Sequence, residues 1–213
     1  AVYSVLRTTM YGHNRIDGDY LDAATDDAVT SETANNQVKK LSAGQYTAST
    51  RIATDMNWGA FYTGIRRANT FINNIDVVPL KERFSNHAAQ NIPLNRAWKA
   101  EARFLKALYY FELVKRYGGV PLVGDIPYEL GTPMELPRNT FEDCVDYIVD
   151  ELDAIKDSLR SAPIANIAND GHVPTAGAAM ALKTRVLLYA ASPLFNSANP
   201  LEANNPYIGY TEY

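Results

Sequence analysis

Cysteine is almost absent. Cys144 stands alone in 213 residues, so no disulfide forms within the chain and packing must hold the fold. Histidine is scarce as well. His13, His87 and His172 lie far apart with no ligand-spaced partner, and they read as surface residues. Neither sign of charge dominates: 20 Lys and Arg face 24 Asp and Glu, for a net charge of −4. That balance gives no electrostatic case for nucleic acid or an anionic membrane surface. No apolar run is long enough to span a bilayer. No G-x-S-x-G, glycine-rich phosphate loop or H-E-x-x-H occurs. Cys144 falls one turn into an amphipathic stretch, beside its apolar stripe, and reads as a small buried filler. No signal peptide precedes Ala1, and Val2, Val5, Leu6 and Thr9 already read as a helix in progress over 1–10.

The residues that are present describe an ordinary globular chain, 46% hydrophobic and 21% charged, with 14 tyrosines. Tyrosine joins a flat apolar face to a polar tip, which suits wet interfaces and sugar faces as well as helical cores. From Asp22 to Asp55 the sequence is polar, with one short helix expected at 34–41, and a long loop of this kind is usually functional. Asp55 reads as an N-cap. Phe61, Ile65, Ala68, Ile72 and Ile75 then alternate by four and three, an apolar helix stripe that Val77-Val78-Pro79 ends. A polar connector, 81–95, leads to a second helix.

In that helix the apolar residues from Ala97 to Val114 cover nearly the whole circumference, which predicts burial among other helices. Lys99, Arg103 and Lys106 leave one narrow basic stripe, and Glu112 precedes Arg116 in the favourable order for an ion pair. Gly118-Gly119 predicts a left-handed stop, and Pro121 forbids re-entry. Pro121, Pro127, Pro133 and Pro137 stiffen the following loop. Thr140-Phe-Glu-Asp143 has the form of a capping box. Phe141, Val145, Ile148, Leu152, Ile155 and Leu159 form the next stripe, with Asp146, Asp150, Asp153 and Asp157 opposite. Pro174 suits a first helical position. Gly177, Ala178, Ala179 and Ala181 would let the last helix approach its neighbour, and Ser192-Pro193 stops it. The expectation is all-α: tetratricopeptide-like helical hairpins at about 55–117 and 140–193, with long irregular loops at 11–54 and 118–139.

The run Ala-Glu-Ala-Arg-Phe-Leu-Lys-Ala-Leu-Tyr-Tyr-Phe-Glu-Leu-Val-Lys-Arg-Tyr-Gly-Gly-Val-Pro-Leu, ending at Leu122, resembles the most recognisable segment of the SusD/RagB family. These are outer-membrane nutrient-binding lipoproteins of the Bacteroidetes. Asp22–Ala28 resembles the family's early acidic loop, Tyr62–Ile75 its next helix, and Ala178–Asn196 a later one. The resemblance implies a SusD-like fold of which 1–213 is the N-terminal part, the second half of a typical member being missing. It implies a non-enzymatic lid on a SusC-like TonB-dependent barrel, capturing an oligosaccharide or other nutrient outside the cell. It also implies attachment to the outer membrane only through an upstream lipid-modified cysteine.

A sugar site needs aromatic platforms for C–H faces and paired polar groups for hydroxyls. The early region offers Asp26, Asp27, Tyr46, Arg51, Asn57 and Trp58. Each has a second reading: Trp58 can staple the helix that starts there, and the aspartates can cap a helix or simply be solvated. Trp98, Tyr109, Tyr110 and Tyr117 read as structural. No cofactor is expected. Some family members bind calcium, but Asp22, Asp26 and Asp27 lack the alternating oxygen-ligand pattern of an EF-hand loop. The competing class is a helical-repeat scaffold that binds a protein or peptide in a Tyr- and Asn-lined groove. An enzyme fits poorly, because a glycosidase needs two carboxylates poised across a bond.

Overall fold

The computed structural model describes residues 2–5, 15–16, 19–31, 37–47, 49, 57–79, 86–87, 92–128, 135–161, 173–196 and 205–210. The expected first helix falls mostly outside these, as do Asp55, His13 and His172. The chain divides into two compact units. One is 3–60 and the other is Val2 with 61–213.

The smaller unit holds a two-residue antiparallel ladder, β1 (Arg15–Ile16) with β2 (Asp19–Tyr20), followed by a 3-10 turn, Leu21–Ala24. The short helix expected at 34–41 is found as α1 (Gln37–Ser42). It ends in a Schellman motif. Gly44 takes φ 65°, its N–H bonds the Leu41 carbonyl at 3.0 Å, and Gln45 N–H bonds the Lys40 carbonyl at 2.8 Å. Val38 on α1 is fully buried, and α1 packs on the 3-10 turn.

Helix α2 (Trp58–Asn74) begins in this unit and runs into the larger one, which also holds α3 (Leu94–Tyr117), α4 (Phe141–Ile155) and α5 (Ala176–Ala190). The regular structure of the described residues is thus almost entirely helical, as the periodicity predicts. The polar connector carries a second small ladder, β3 (Asn86–His87) with β4 (Ile92–Pro93). All five stripe residues of α2 and its exit, Phe61 to Ile75, are buried. The six stripe residues of α4 and its exit, Phe141 to Leu159, are buried too, with Asp146, Asp150 and Asp157 exposed opposite. The Thr140 capping box forms in full: its hydroxyl accepts from Asp143 N–H at 3.0 Å, and Asp143 Oδ2 accepts from Thr140 N–H at 3.1 Å.

Helix α3 is the axis of the core. Tyr109, Tyr110 and Phe111 are buried on adjacent sides of it. Tyr109 meets Phe61 of α2, Tyr110 meets Tyr147 of α4, and Phe111 meets Tyr189 of α5. Trp98 and Tyr117 keep part of their surface, so they pack at its margins rather than inside.

Four expectations are corrected. The basic stripe of α3 is no free stripe: Lys99 pairs with Asp76 at 2.6 Å, Arg103 with Glu151 at 2.8 Å, and Lys106, with no side-chain exposure, with Asp125. Gly118 does have positive φ, but its ψ of −137° is mirror-extended rather than left-handed helical. The glycine pair is also a notch. A Cβ on Gly118 would stand 2.1 Å from the Tyr207 carbonyl oxygen, and one on Gly119 would stand 2.2 Å from that of Asn139. Residues 205–210 come back into this notch, where Gly119 N–H bonds the Tyr207 carbonyl and Phe141 N–H the Pro206 carbonyl, each at 2.7 Å.

Pro174 is not the first residue of α5. Thr175 is the N-cap, accepting from Ala178 N–H at 3.2 Å. The first helical N–H, from Ala176, is already used on the Arg160 carbonyl at 2.8 Å, so a proline there would cost a bond. Of the small residues at the start of α5, Ala179 is buried, while Gly177 and Ala181 face outward.

Candidate functional site

The described candidate ligand residues, Asp26, Asp27, Tyr46, Asn57 and Trp58, belong to the smaller unit. Asp26 and Asp27 are exposed in one turn just after the 3-10 segment. Thr25 shapes it: its hydroxyl donates to the Asp22 carbonyl at 2.7 Å and accepts from Asp27 N–H at 3.2 Å. Local side-chain bonds of this kind are why Thr and Asp favour turns. Both carboxylates therefore project from a fixed backbone. Tyr46 follows the α1 cap and is 41% exposed.

Asn57 takes φ 44°, a conformation that asparagine tolerates better than most residues. It immediately precedes Trp58, which opens α2 and is also 41% exposed. That exposure is high for an indole whose role is to fill a core. Arg51 lies outside the described residues. Asp26 joins Asp27 in one turn, and Asn57 joins Trp58 at one helix start. Tyr20, 46% exposed, stands directly before the 3-10 segment that leads to the acidic turn. The sequence reading missed it, because Tyr20 lies just before the 22–58 region from which Tyr46 was chosen.

The arrangement offers exposed aromatic faces and carboxylates on short, locally braced turns. These are the group types that stack on and hydrogen-bond polyhydroxylated ligands. In the larger unit Cys144 and Glu151 are both engaged. Cys144 is fully buried, with its thiol on the Val120 carbonyl at 3.4 Å; burial pushes that thiol up to about 11. Glu151 gives both oxygens to Arg103, at 2.9 and 2.8 Å. Those hydrogen bonds raise the Arg103 guanidinium. Among the described residues no group of three or more His, Cys, Asp and Glu side chains could hold a metal ion.

The loop 118–128, read as stiff from its prolines, is also tied down by side chains. Tyr62 hydroxyl donates to the Pro121 carbonyl at 2.8 Å, and Asn69 amide to the Gly124 and Ile126 carbonyls at 3.0 and 3.2 Å. Asn73 donates to the Asp125 carbonyl at 2.7 Å. These three residues lie along α2 at i, i+7 and i+11, one polar edge serving one loop.

A family described as starch-binding proteins associating with the outer membrane matches residues 2–188. The chain belongs to the SusD-like family. Solved SusD-like structures agree with the fold. A SusD-like protein from Bacteroides fragilis is 31% identical, with a TM-score of 0.55 over 70% of this chain and 26% of its own. A laminarin-binding SusD-like protein is 25% identical, with a TM-score of 0.63 over 88% of this chain and 38% of its own. Surface glycan-binding protein A from Bacteroides fluxus, 22% identical with a TM-score of 0.62, covers the same shares and shows the fold alone. No curated protein matches the chain. This SusD-like chain therefore spans between about a quarter and two fifths of the length of these three structures.

Proposed function

We propose that this chain is the N-terminal part of a cell-surface glycan-binding protein, acting as the lid of a SusC-like TonB-dependent outer-membrane transporter. The observation that carries the reading is family membership over 2–188, in a family described as starch-binding and outer-membrane-associated. The laminarin-binding relative favours a glucan over other nutrients. A lipid anchor upstream of the chain holds the protein to the extracellular face, and the helical unit is a rigid docking surface.

In this reading Trp58 and Tyr46 stack on sugar rings, and Asp26, Asp27, Asn57 and Arg51 bond the hydroxyls. Nothing is cleaved: the ligand is held and handed on. The test is isothermal titration with laminarin and with starch oligosaccharides, alongside a reducing-end assay. Saturable binding without release of reducing ends is the expected result. Trp58→Ala weakens binding about 5-fold, the equivalent of one aromatic contact of about 1 kcal/mol. Affinity unchanged in Trp58→Ala and Tyr46→Ala together overturns the assigned residues. Failure of every glucan to bind, or recovery from outer membranes without a barrel protein, overturns the function.

A further inference from the structure

Residues 205–210 return to the larger unit as a short turn that braces itself. Asn205 Oδ1 accepts from Tyr207 N–H at 3.1 Å, and the Asn205 carbonyl accepts from Ile208 N–H at 3.2 Å. The corner they meet, where α3 ends and α4 begins, is held together without them. The Cys144 sulfur accepts from Val120 N–H at 3.3 Å and its thiol donates to the Val120 carbonyl at 3.4 Å, while Asn139 Oδ1 accepts from Leu122 N–H at 3.0 Å. Arg138 donates to the Tyr117 and Gly119 carbonyls at the α3 exit, at 2.6 and 2.7 Å. Two backbone donors of the corner point to the returning turn instead. Phe141 N–H is the first of α4, a group that no carbonyl of its own helix can take, and Gly119 N–H lies beyond the α3 cap. The Pro206 and Tyr207 carbonyls take them, and the Phe195 carbonyl takes Tyr210 N–H at 2.8 Å.

The grip on this turn is mostly backbone. The Tyr207 ring lies over the Arg138 guanidinium, 4.9 Å from its carbon, and Tyr210 meets Phe141 at right angles, with ring centroids 5.4 Å apart. Gly209 fits against Phe195, where a Cβ would stand 2.4 Å from the carbonyl oxygen. None of the six residues is buried, whereas Leu113 of α3 and Ile148 of α4 are fully so. A segment held by a few hydrogen bonds with little apolar burial opens at a lower free energy than the core it rests on. We propose that residues 205–210 are a clasp: one turn, docked through its backbone into a preformed corner between α3 and α4, that leaves and returns as a unit while the helices stay folded. Its departure bares the Gly119 and Phe141 N–H groups beside the Arg138 guanidinium. The corner is thus a seat for extended backbone that the chain fills with its own turn.

Native-state hydrogen exchange of the full chain, read amide by amide by NMR at rising urea below the unfolding transition, tests this. The Gly119, Phe141 and Tyr210 amides share one opening free energy, lower than that of the Leu113 and Ile148 amides and little changed by urea. Tyr207→Ala leaves the corner intact and speeds exchange at all three by about 2- to 5-fold, the loss of one exposed cation–π contact. Gly209→Ala drives a methyl group into the Phe195 carbonyl and removes protection from all three, with helical circular dichroism unchanged. Unequal opening of the three amides, or exchange no faster than at Leu113 and Ile148, overturns the proposal, and the unsubstituted chain decides this alone. So does a Gly209→Ala chain that loses its helical signal together with the clasp, because docking is then inseparable from the frame. A Gly209→Ala chain that keeps Gly119 and Phe141 protected overturns it as well.

Discussion

The charged cluster between α3 and α4 makes an asymmetric prediction. Glu151, with 11% of its side chain exposed, accepts twice from Arg103 and lies 4.0 Å from Lys106. Lys106 has no exposed side-chain surface, and its other partner, Asp125, is 63% exposed. Two cations are thus balanced by one carboxylate inside and one mostly in water. Glu151→Ala strips Arg103 of both bonds and leaves the buried ammonium with the outer carboxylate alone. Breaking a buried pair costs about 3–5 kcal/mol, and the 30% exposure of Arg103 puts this case near the lower end, about 3 kcal/mol. Lys106→Met removes the costliest buried charge instead. Asp125 rehydrates, Glu151 keeps Arg103, and a methionine fills the volume, for a loss of about 1 kcal/mol or less. For a domain of this size those losses correspond to Tm drops of roughly 6–12 °C and roughly 0–4 °C. Urea unfolding followed by circular dichroism measures both, with unchanged m as the control. In the double variant the two losses should fall short of additive by about 1 kcal/mol or more. If Lys106→Met costs as much as Glu151→Ala, the outer Asp125 contact carries the cluster, and the reasoning from desolvation fails.

Three further outcomes follow from the geometry. Gly64→Ala puts a Cβ 2.7 Å from a ring carbon of Tyr109, a fully buried side chain whose hydroxyl is fixed on the Val2 carbonyl at 2.8 Å. The overlap costs about 1–3 kcal/mol, outweighs the helix-propensity gain of about 1 kcal/mol, and lowers the urea midpoint. Gly59→Ala, which meets nothing within 4 Å, raises or preserves it. Thr140→Ala opens the capping box and costs about 1 kcal/mol in the same assay.

The profile of Tm against pH should fall at both ends. Burial pushes the Glu112 and Asp125 carboxyls up, but hydrogen bonds and charge from Lys115 and Arg116, and from Lys106, more than offset it and leave both lowered. Their stabilisation is therefore full above the ordinary carboxylate range and lost as pH falls through and below about 4. Burial raises Tyr62, Tyr110, Tyr147 and Cys144, so their contribution is full below about pH 9 and lost as pH climbs past it. Glu112→Gln should flatten the acid limb, and an unchanged acid limb would refute the assignment.

What the sequence made legible was local. The stripes of α2 and α4 are set by spacing within one helix, and the Thr140 box by four consecutive residues, so each could be placed without knowing its neighbours. What it hid depends on partners far along the chain. Gly118-Gly119 has a local reason, stopping a helix, that conceals the distant one, admitting residues 205–210. Lys106 read only as part of a narrow basic stripe because nothing near it in sequence announces Asp125 or Glu151. The outward turn of Gly177 and Ala181 has the same origin: small residues mark a close approach, but not which side of the helix receives it. The candidate site shows the limit most sharply. In 22–58 the turns are fixed by Thr25, by Gly44 and by the positive φ of Asn57, one at a time. Residue type alone could nominate Tyr46 and Trp58, and equally Tyr20. A stacking site, however, is defined by the distance between aromatic faces, and no periodicity transmits that distance through a run of turns. The site residues are therefore best tested by binding, whereas the helical frame is best tested by stability, and the two kinds of variant should separate cleanly: Trp58→Ala should move affinity and spare Tm, and Glu151→Ala should move Tm first.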